Sequence, residues 1–385
     1  MFAVFKNSCK RVLTLPLVLL GLAACEPIPQ SSLGTPTGEP VPVALLVPGG
    51  SGQGTDELLA QSLENAARLA MRDLNGVAVD LRVYRTAGDA ALAGALAEKA
   101  VDEGADIIIG PVYAASANAV GKAVAGRGVN VLSFSNNAAI AGGNLFVLGP
   151  TFQNTANRMV QFATSQGKQR FVIVHGEDTS GTQGRDAIQR AVDANGAAVM
   201  ASIGYALSQQ DVIAAIPNIT AAVNDTAADA IFMTTDSASA LPLLSQLLPE
   251  AGVTSETSQF MGLTRWDIPP QTLSLPGIQN GWFALPDPAA TATFSGQYQA
   301  EYATTPHAIG GLAFDAIAAI GALASQGDAF STESLTRSGG FRGASGIFRL
   351  NPDGTNTRGL AVATISEAQV QILSAAPQRF GGLGF

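Results

Sequence analysis

From Val41 onward, short apolar runs alternate with segments whose apolar residues recur at helical spacing, and that alternation leaves few folds open. Val43-Ala-Leu-Leu-Val47, bounded by Pro48-Gly-Gly, reads as a strand buried on both faces. The next segment, 56–74, puts Leu59, Leu63, Ala66, Ala67 and Ala70 on one stripe of a helix. Strands predicted over 79–84, 106–109 and 129–133 alternate with helices over 89–103 and 115–125. Parallel strands joined in this way use right-handed crossovers, which lay helices on both faces of the sheet.

A second series of the same kind follows Gly149-Pro150. Strands at 170–174, 198–205, 230–234 and 258–262 alternate with helices at 183–195, 210–223 and 238–248, and a strand at 281–285 precedes helices at 292–302 and 309–324. The last part changes character. Short strands at 346–350, 358–363 and 370–373 are separated by turns, and Asn351-Pro-Asp-Gly354 marks an antiparallel hairpin. Two similar series predict an α/β protein of two doubly wound parallel-sheet lobes. The 385 residues suit two cores at about 100–200 residues each.

Ahead of this body stand a basic segment with Lys6, Lys10 and Arg11, an apolar run over 12–24, and Cys25. The run is short of the ~20 apolar residues of a spanning helix and fits a secretory signal peptide over 1–24. Leu22-Ala23-Ala24-Cys25 resembles the bacterial lipobox, which implies a lipid on Cys25 and a membrane anchor. The segment 25–40, rich in Pro, Gly, Ser and Thr, reads as a flexible tether. Cys9, the other cysteine, lies within the signal, so no disulfide, metal cluster or thiol nucleophile remains for the body.

The full chain carries a net charge of −9. Loss of the signal removes three of its 21 Lys and Arg and none of its 30 Asp and Glu, leaving −12. Such a body repels polyphosphates, and no basic stripe is interleaved with aromatics, which excludes nucleic acid as a partner. Gly49-Gly-Ser-Gly-Gln-Gly54 follows a strand but lacks the spacing of a dinucleotide loop, and Val83-Tyr84-Arg85 supplies no acid for a ribose. His175 and His307 are the only histidines, with no nucleophile elbow and no metal-ligand spacing. No catalytic residue, metal or cofactor is expected.

The order of elements and several stretches resemble the leucine-binding-protein family, which has the type I periplasmic solute-binding fold. These stretches are Pro48-Gly-Gly-Ser-Gly52, the segment opening Glu64-Asn-Ala-Ala-Arg68, Ala105-Asp-Ile-Ile-Ile-Gly-Pro111, Val129-Asn-Val-Leu-Ser-Phe-Ser-Asn136, Phe314-Asp315 and Phe341-Arg-Gly-Ala-Ser-Gly346. The resemblance implies a three-crossing hinge, with lobe one at 41–155 and 286–338, lobe two at 156–285 and 339–375, and a tail at 376–385. It implies a receptor, in the periplasm and tethered to a bacterial membrane, that serves the permease of an ABC-type importer for an amino acid or similar small polar ligand.

Ligands of open parallel sheets sit beyond the carboxyl ends of the strands. The loops there offer Ser51, Tyr113, Ser116, Ser133, Ser135 and Asn136 from lobe one, with helix N-termini suited to a carboxylate. Lobe two offers Asp178 and Asp236, either for a ligand ammonium or as helix caps. The sequence departs from the family at Ala114, where a serine is common, and at Ser180, where a tyrosine is common.

A reading from another class is open. Thr264-Arg-Trp-Asp267, Gly281-Trp-Phe-Ala-Leu-Pro-Asp287, Phe294 and Tyr298 resemble lipid-anchored activators of penicillin-binding proteins, which share this fold. That resemblance implies a penicillin-binding protein as partner; Trp266, beside Arg265, reads as lining the cleft or a protein interface, and Trp282 as packing in the core and at the lobe interface.

Overall fold

The computed structural model describes residues 38–74 and 76–381. Cys25, the signal and most of the tether lie outside these residues.

The first series gives β1 (Val41–Val47), α1 (Gly54–Met71), β2 (Val79–Arg85), α2 (Ala90–Asp102), β3 (Ile107–Ile109), α3 (Ala114–Val124), β4 (Asn130–Ser133) and β5 (Leu145–Val147). Its five strands form one parallel sheet in the order β2-β1-β3-β4-β5. Consecutive residues of β1 are buried, because both faces are covered. Leu45 and Val47 face a core with Leu63 and Ala67 of α1, while Ala44 and Leu46 face Ala97 of α2 and Val120 of α3.

The second series gives α4 (Phe152–Ser165), β6 (Arg170–Gly176), α5 (Thr179–Ala194), β7 (Ala198–Tyr205), α6 (Gln209–Thr226), β8 (Ala230–Met233), α7 (Leu241–Glu250), β9 (Gln259–Gly262) and β10 (Trp282–Pro286). The chain continues through α8 (Pro288–Tyr302), α9 (Gly311–Ala324), β11 (Phe341–Gly343), β12 (Gly346–Leu350), β13 (Asn356–Arg358), β14 (Leu360–Ser366) and β15 (Gln369–Ser374). The second sheet has the order β15-β14-β10-β9-β8-β6-β7, parallel from β10 to β7 and antiparallel at β14 and β15. One face packs on α6 and α7 through Ile219 and Leu244, the other on α4 and α5 through Val160 and Ile188.

The chain passes between the lobes three times. The first passage joins β5 to α4. The second joins β10 to α8, and α8 and α9 then bring Phe294, Leu312, Ile317 and Ile320 into the first core. The third joins β13 to β14. Phe341, Ala344, Phe348 and Leu350, which the sequence places with lobe two, pack into the first core instead. The small β11-β12-β13 sheet therefore rides on lobe one. The Asn351-Pro-Asp-Gly354 turn does join two antiparallel strands, β12 and β13, and closes through Gly354 N–H to the Asn351 carbonyl.

The passages are stitched by side chains. Asn356 Nδ2 donates to the carbonyls of Val147 (2.8 Å) and Gly149 (2.9 Å), and Asn154 Nδ2 donates to the Asn356 carbonyl (2.8 Å). Arg358 donates through Nε to the Leu148 carbonyl (3.1 Å) and pairs with Asp315 of α9. In the expected tail, Gln378 donates to Asp287 Oδ2 and accepts from Arg342.

Candidate functional site: a cavity between the lobes

A cavity of about 940 Å3 lies between the two lobes. Its walls are the turns that follow β3 and β4, the start of α4 and one face of α5. The chain leaves β3 through Gly110, whose φ of +83° is open to glycine at little strain. A Cβ at this position would run into the Leu46 carbonyl, so the sharp exit that carries the next loop into the cavity needs glycine.

Tyr113 stands at the entry of α3. Its ring lies against Gly88 and its hydroxyl donates to Asp56 Oδ1 (2.5 Å), so what it offers the cavity is mainly its ring. That hydrogen bond, followed by burial, pushes the Tyr113 phenol above its ordinary pKa. No side chain caps α3, and Tyr113 and Ala114 at its N-terminal end line the cavity. Across the cavity, Asp178 caps α5 by accepting from Gly181 N–H (3.1 Å). One wall thus favours an anion and the other carries a carboxylate that can meet a cation.

Four of the predicted residues line this cavity: Tyr113, Ser135, Asn136 and Asp178. Ser135 Oγ also accepts from Asn137 N–H (3.1 Å) and holds the loop after β4 in its bend. The other four do not line it. Ser133 is fully buried, donating to the Pro111 carbonyl (3.0 Å) and accepting from Ser135 N–H (3.1 Å). It ties one cavity loop to the next. Ser116 is buried on α3 and directed at the Gly88 carbonyl (3.4 Å). Ser51 accepts from Gln53 N–H (3.1 Å) and shapes the turn between β1 and α1. Asp236 accepts from Ala238 N–H (3.1 Å) and shapes the turn after β8.

Sequence reasoning missed Gln153, Gln183, Asp186 and Arg190, which also line the cavity. Gln183, Asp186 and Arg190 fall within the helix predicted over 183–195 and were legible as its polar stripe, whereas Gln153 lies on α4, where no helix was expected. His175 is buried with Nδ1 against the Gly176 carbonyl (2.9 Å) and does not line the cavity. His307 caps the turn into α9, its Nδ1 accepting from Ile309 N–H. Trp266 lines neither cleft nor interface: it is fully buried in the second core, its ring seated against Gly262 and Gly281. Trp282 is half-buried and meets Phe162 edge-on at 4.9 Å. Among the described residues no group of three or more His, Cys, Asp or Glu could hold a metal, and no helix is long and apolar enough to cross a membrane.

Solved structures share this architecture. A Rhodospirillum rubrum protein provisionally described as a branched-chain amino acid ABC transporter aligns over 87% of this chain and all of its own, at 17% identity and a TM-score of 0.73. A periplasmic ligand-binding protein of a branched-chain amino acid ABC transporter from Burkholderia xenovorans aligns over 88% and 96%, at 16% identity and a TM-score of 0.67. An ABC transporter substrate-binding protein from Desulfitobacterium hafniense, in complex with Leu, aligns over 87% and 100%, at 17% identity and a TM-score of 0.61. Identities this low speak for the fold alone. The search of curated proteins finds no match. The family model for periplasmic binding proteins spans residues 40–369, nearly all of the folded body around the cavity, and the chain therefore belongs to the periplasmic binding protein family, whose members bind solutes and are not enzymes.

Proposed function

We propose that this protein is a lipid-anchored receptor of the periplasm that delivers an amino acid or similar small polar ligand to the permease of an ABC-type importer. The inter-lobe cavity carries the reading, with an uncapped helix N-terminus on one wall and the Asp178 carboxylate on the other. A zwitterion meets both needs: its carboxylate at the start of α3, its ammonium at Asp178. Tyr113, Ser135 and Asn136 then contact the ligand directly. Ser51, Ser116, Ser133 and Asp236 act by fixing the loops that bear those contacts. Closure about the three passages brings Asp178 onto a ligand already held by lobe one. Proteins of this fold described as the ligand-binding protein of a branched-chain amino acid ABC transporter and as a substrate-binding protein in complex with Leu support the ligand class. Cys25 supplies the anchor.

The test is a thermal-shift screen of amino acids, small peptides and organic acids. A bound ligand at a hundredfold excess over its Kd adds ~2.7 kcal/mol to stability. A flat response across the panel overturns the receptor reading.

A second reading, an activator lipoprotein acting on a penicillin-binding protein, is favoured by one observation. A groove of about 1300 Å3 on the second lobe is larger than the inter-lobe cavity and is lined by Leu207, Val212, Pro242, Leu243 and Leu275. Apolar surface of this kind, here interspersed with polar side chains such as Gln209, Gln246 and Glu256, suits protein partners. An activator would show no solute response in the same screen.

A further inference from the structure

The cavity does not end at the first turn of α5. Ser180, Gln183, Ala187 and Arg190 all line it, and their spacing of three and four residues places them on one face of the helix. From the Asp178 cap to Arg190 that face runs ~18 Å at 1.5 Å per residue.

The two ends of the stripe carry opposite charges, and neither is neutralised. Asp178 accepts a backbone N–H and has no cationic partner among the described residues. Arg190 donates through Nε to Gln153 Oε1 (2.8 Å). Gln153 is itself held, its Nε2 donating to Asn157 Oδ1 (2.7 Å) and the Ala187 carbonyl (3.2 Å). The guanidinium is thereby aimed, with its terminal nitrogens unpaired among the described residues. Asp186, one turn earlier, pairs with Arg185 through Oδ1 (2.7 Å) and makes no ion pair with Arg190. Between the two charged ends the cavity presents carboxamides, Gln183 on α5 and Asn136 and Asn137 on the facing wall, together with the Asp186 carboxylate held by Arg185.

A single amino acid separates its ammonium and carboxylate by one residue and cannot meet both ends. After allowance for the reach of the two side chains, roughly 10 Å remains to be bridged, which is about three residues of extended chain at ~3.3–3.6 Å each. We infer that the ligand of this cavity is a short peptide of about three residues, extended along α5 with its ammonium at Asp178 and its terminal carboxylate at Arg190. The guanidinium fork matches a carboxylate in two parallel hydrogen bonds, and the carboxamides match the peptide groups between. Arg190 is then the residue that sets specificity for length and for a free carboxyl end. This inference rests on the reading of the cavity as the solute site, and it moves the ligand carboxylate from the start of α3 to Arg190.

The test uses the full chain and measures Kd by calorimetry for triglycine, trialanine and trileucine, for their C-terminal amides, and for alanine and leucine. At least one free tripeptide is expected to bind ten-fold or more tightly than its amide. Arg190→Gln, at an exposed position that should leave folding intact, is expected to erase that difference by weakening the free acid alone. Arg190→Lys should recover part of it. If alanine or leucine binds and no tripeptide does, or if Arg190→Gln leaves the acid-to-amide ratio unchanged, the peptide inference falls while the receptor reading stands. If no compound of the panel binds, both fall.

Discussion

Arg358 Nη1 lies 2.9 Å from Asp315 Oδ2, and both side chains are almost wholly withdrawn from solvent. The pair joins β13, at the third passage between the lobes, to α9 of lobe one. The same guanidinium reaches the Leu148 carbonyl at the first passage and Ser345 Oγ, and Asp315 Oδ1 accepts from Ala344 N–H (2.7 Å). Burial pushes the Asp315 carboxyl up, against the pull of Arg358 and the Ala344 N–H. Removing one partner strands a buried charge, which typically costs ~3–5 kcal/mol. Arg358→Met is expected to destabilise the protein by about that much in urea unfolding. The double variant with Asp315→Asn should lose less than the two single changes summed. A loss under about 1 kcal/mol in the single variant would show that the pair does not hold the hinge.

Asp178 has two assignments that one substitution separates. Asparagine caps a helix about as well as aspartate but carries no charge. Asp178→Asn is expected to leave the melting temperature within a degree or two, while ligand affinity falls ten-fold or more in calorimetry. An equal fall of stability and affinity would make Asp178 a cap alone.

Asp229 predicts the acid limb of stability. Burial raises its pKa, but hydrogen bonds from the Arg170 side chain (3.1 Å) and from the N–H groups of Gln169 and Arg170 (2.9 Å each) outweigh that and hold it below its ordinary value of 3.8. A carboxyl depressed in the folded state stabilises it above the unfolded pKa, and that contribution is lost as pH falls through the folded value. Stability should therefore drop on acidification below about pH 4. Asp229→Asn should flatten this part of the curve in denaturant melts taken from pH 6 to pH 2.

Cys25→Ala is expected to move the protein from the membrane fraction to the soluble periplasmic fraction, since the lipid is the only membrane attachment proposed. Unchanged fractionation would remove the anchor from the proposal.

Much of the fold was legible because buried parallel strands announce themselves as unbroken apolar runs, as in β1, β6 and β8. β5 and α4 were not. β5 is only three residues long, and Gln153, Asn154 and Thr155 give the start of α4 the look of a loop. The placing of 341–350 with lobe two failed for a different reason. Short antiparallel strands do not say which core they cover, and Phe341 and Phe348 settle it only by packing on α9 and its neighbours. In the cavity, the loops were legible from the strand ends, but the direction of each hydroxyl was not. Ser133 and Ser135 stand two residues apart, yet one turns to the Pro111 carbonyl and the other lines the cavity. That choice is made by a carbonyl distant in sequence, which no local pattern records.

The threading of the chain also has a consequence for its synthesis. Ile317 and Ile320 of α9 cover a face of a sheet whose strands end with β5, far earlier in the sequence. A polypeptide made amino end first therefore has only α1 on that face until α9 has emerged, and the second sheet waits still longer for β14 and β15. Neither core can be completed from one unbroken stretch of chain, so both lobes finish late in synthesis.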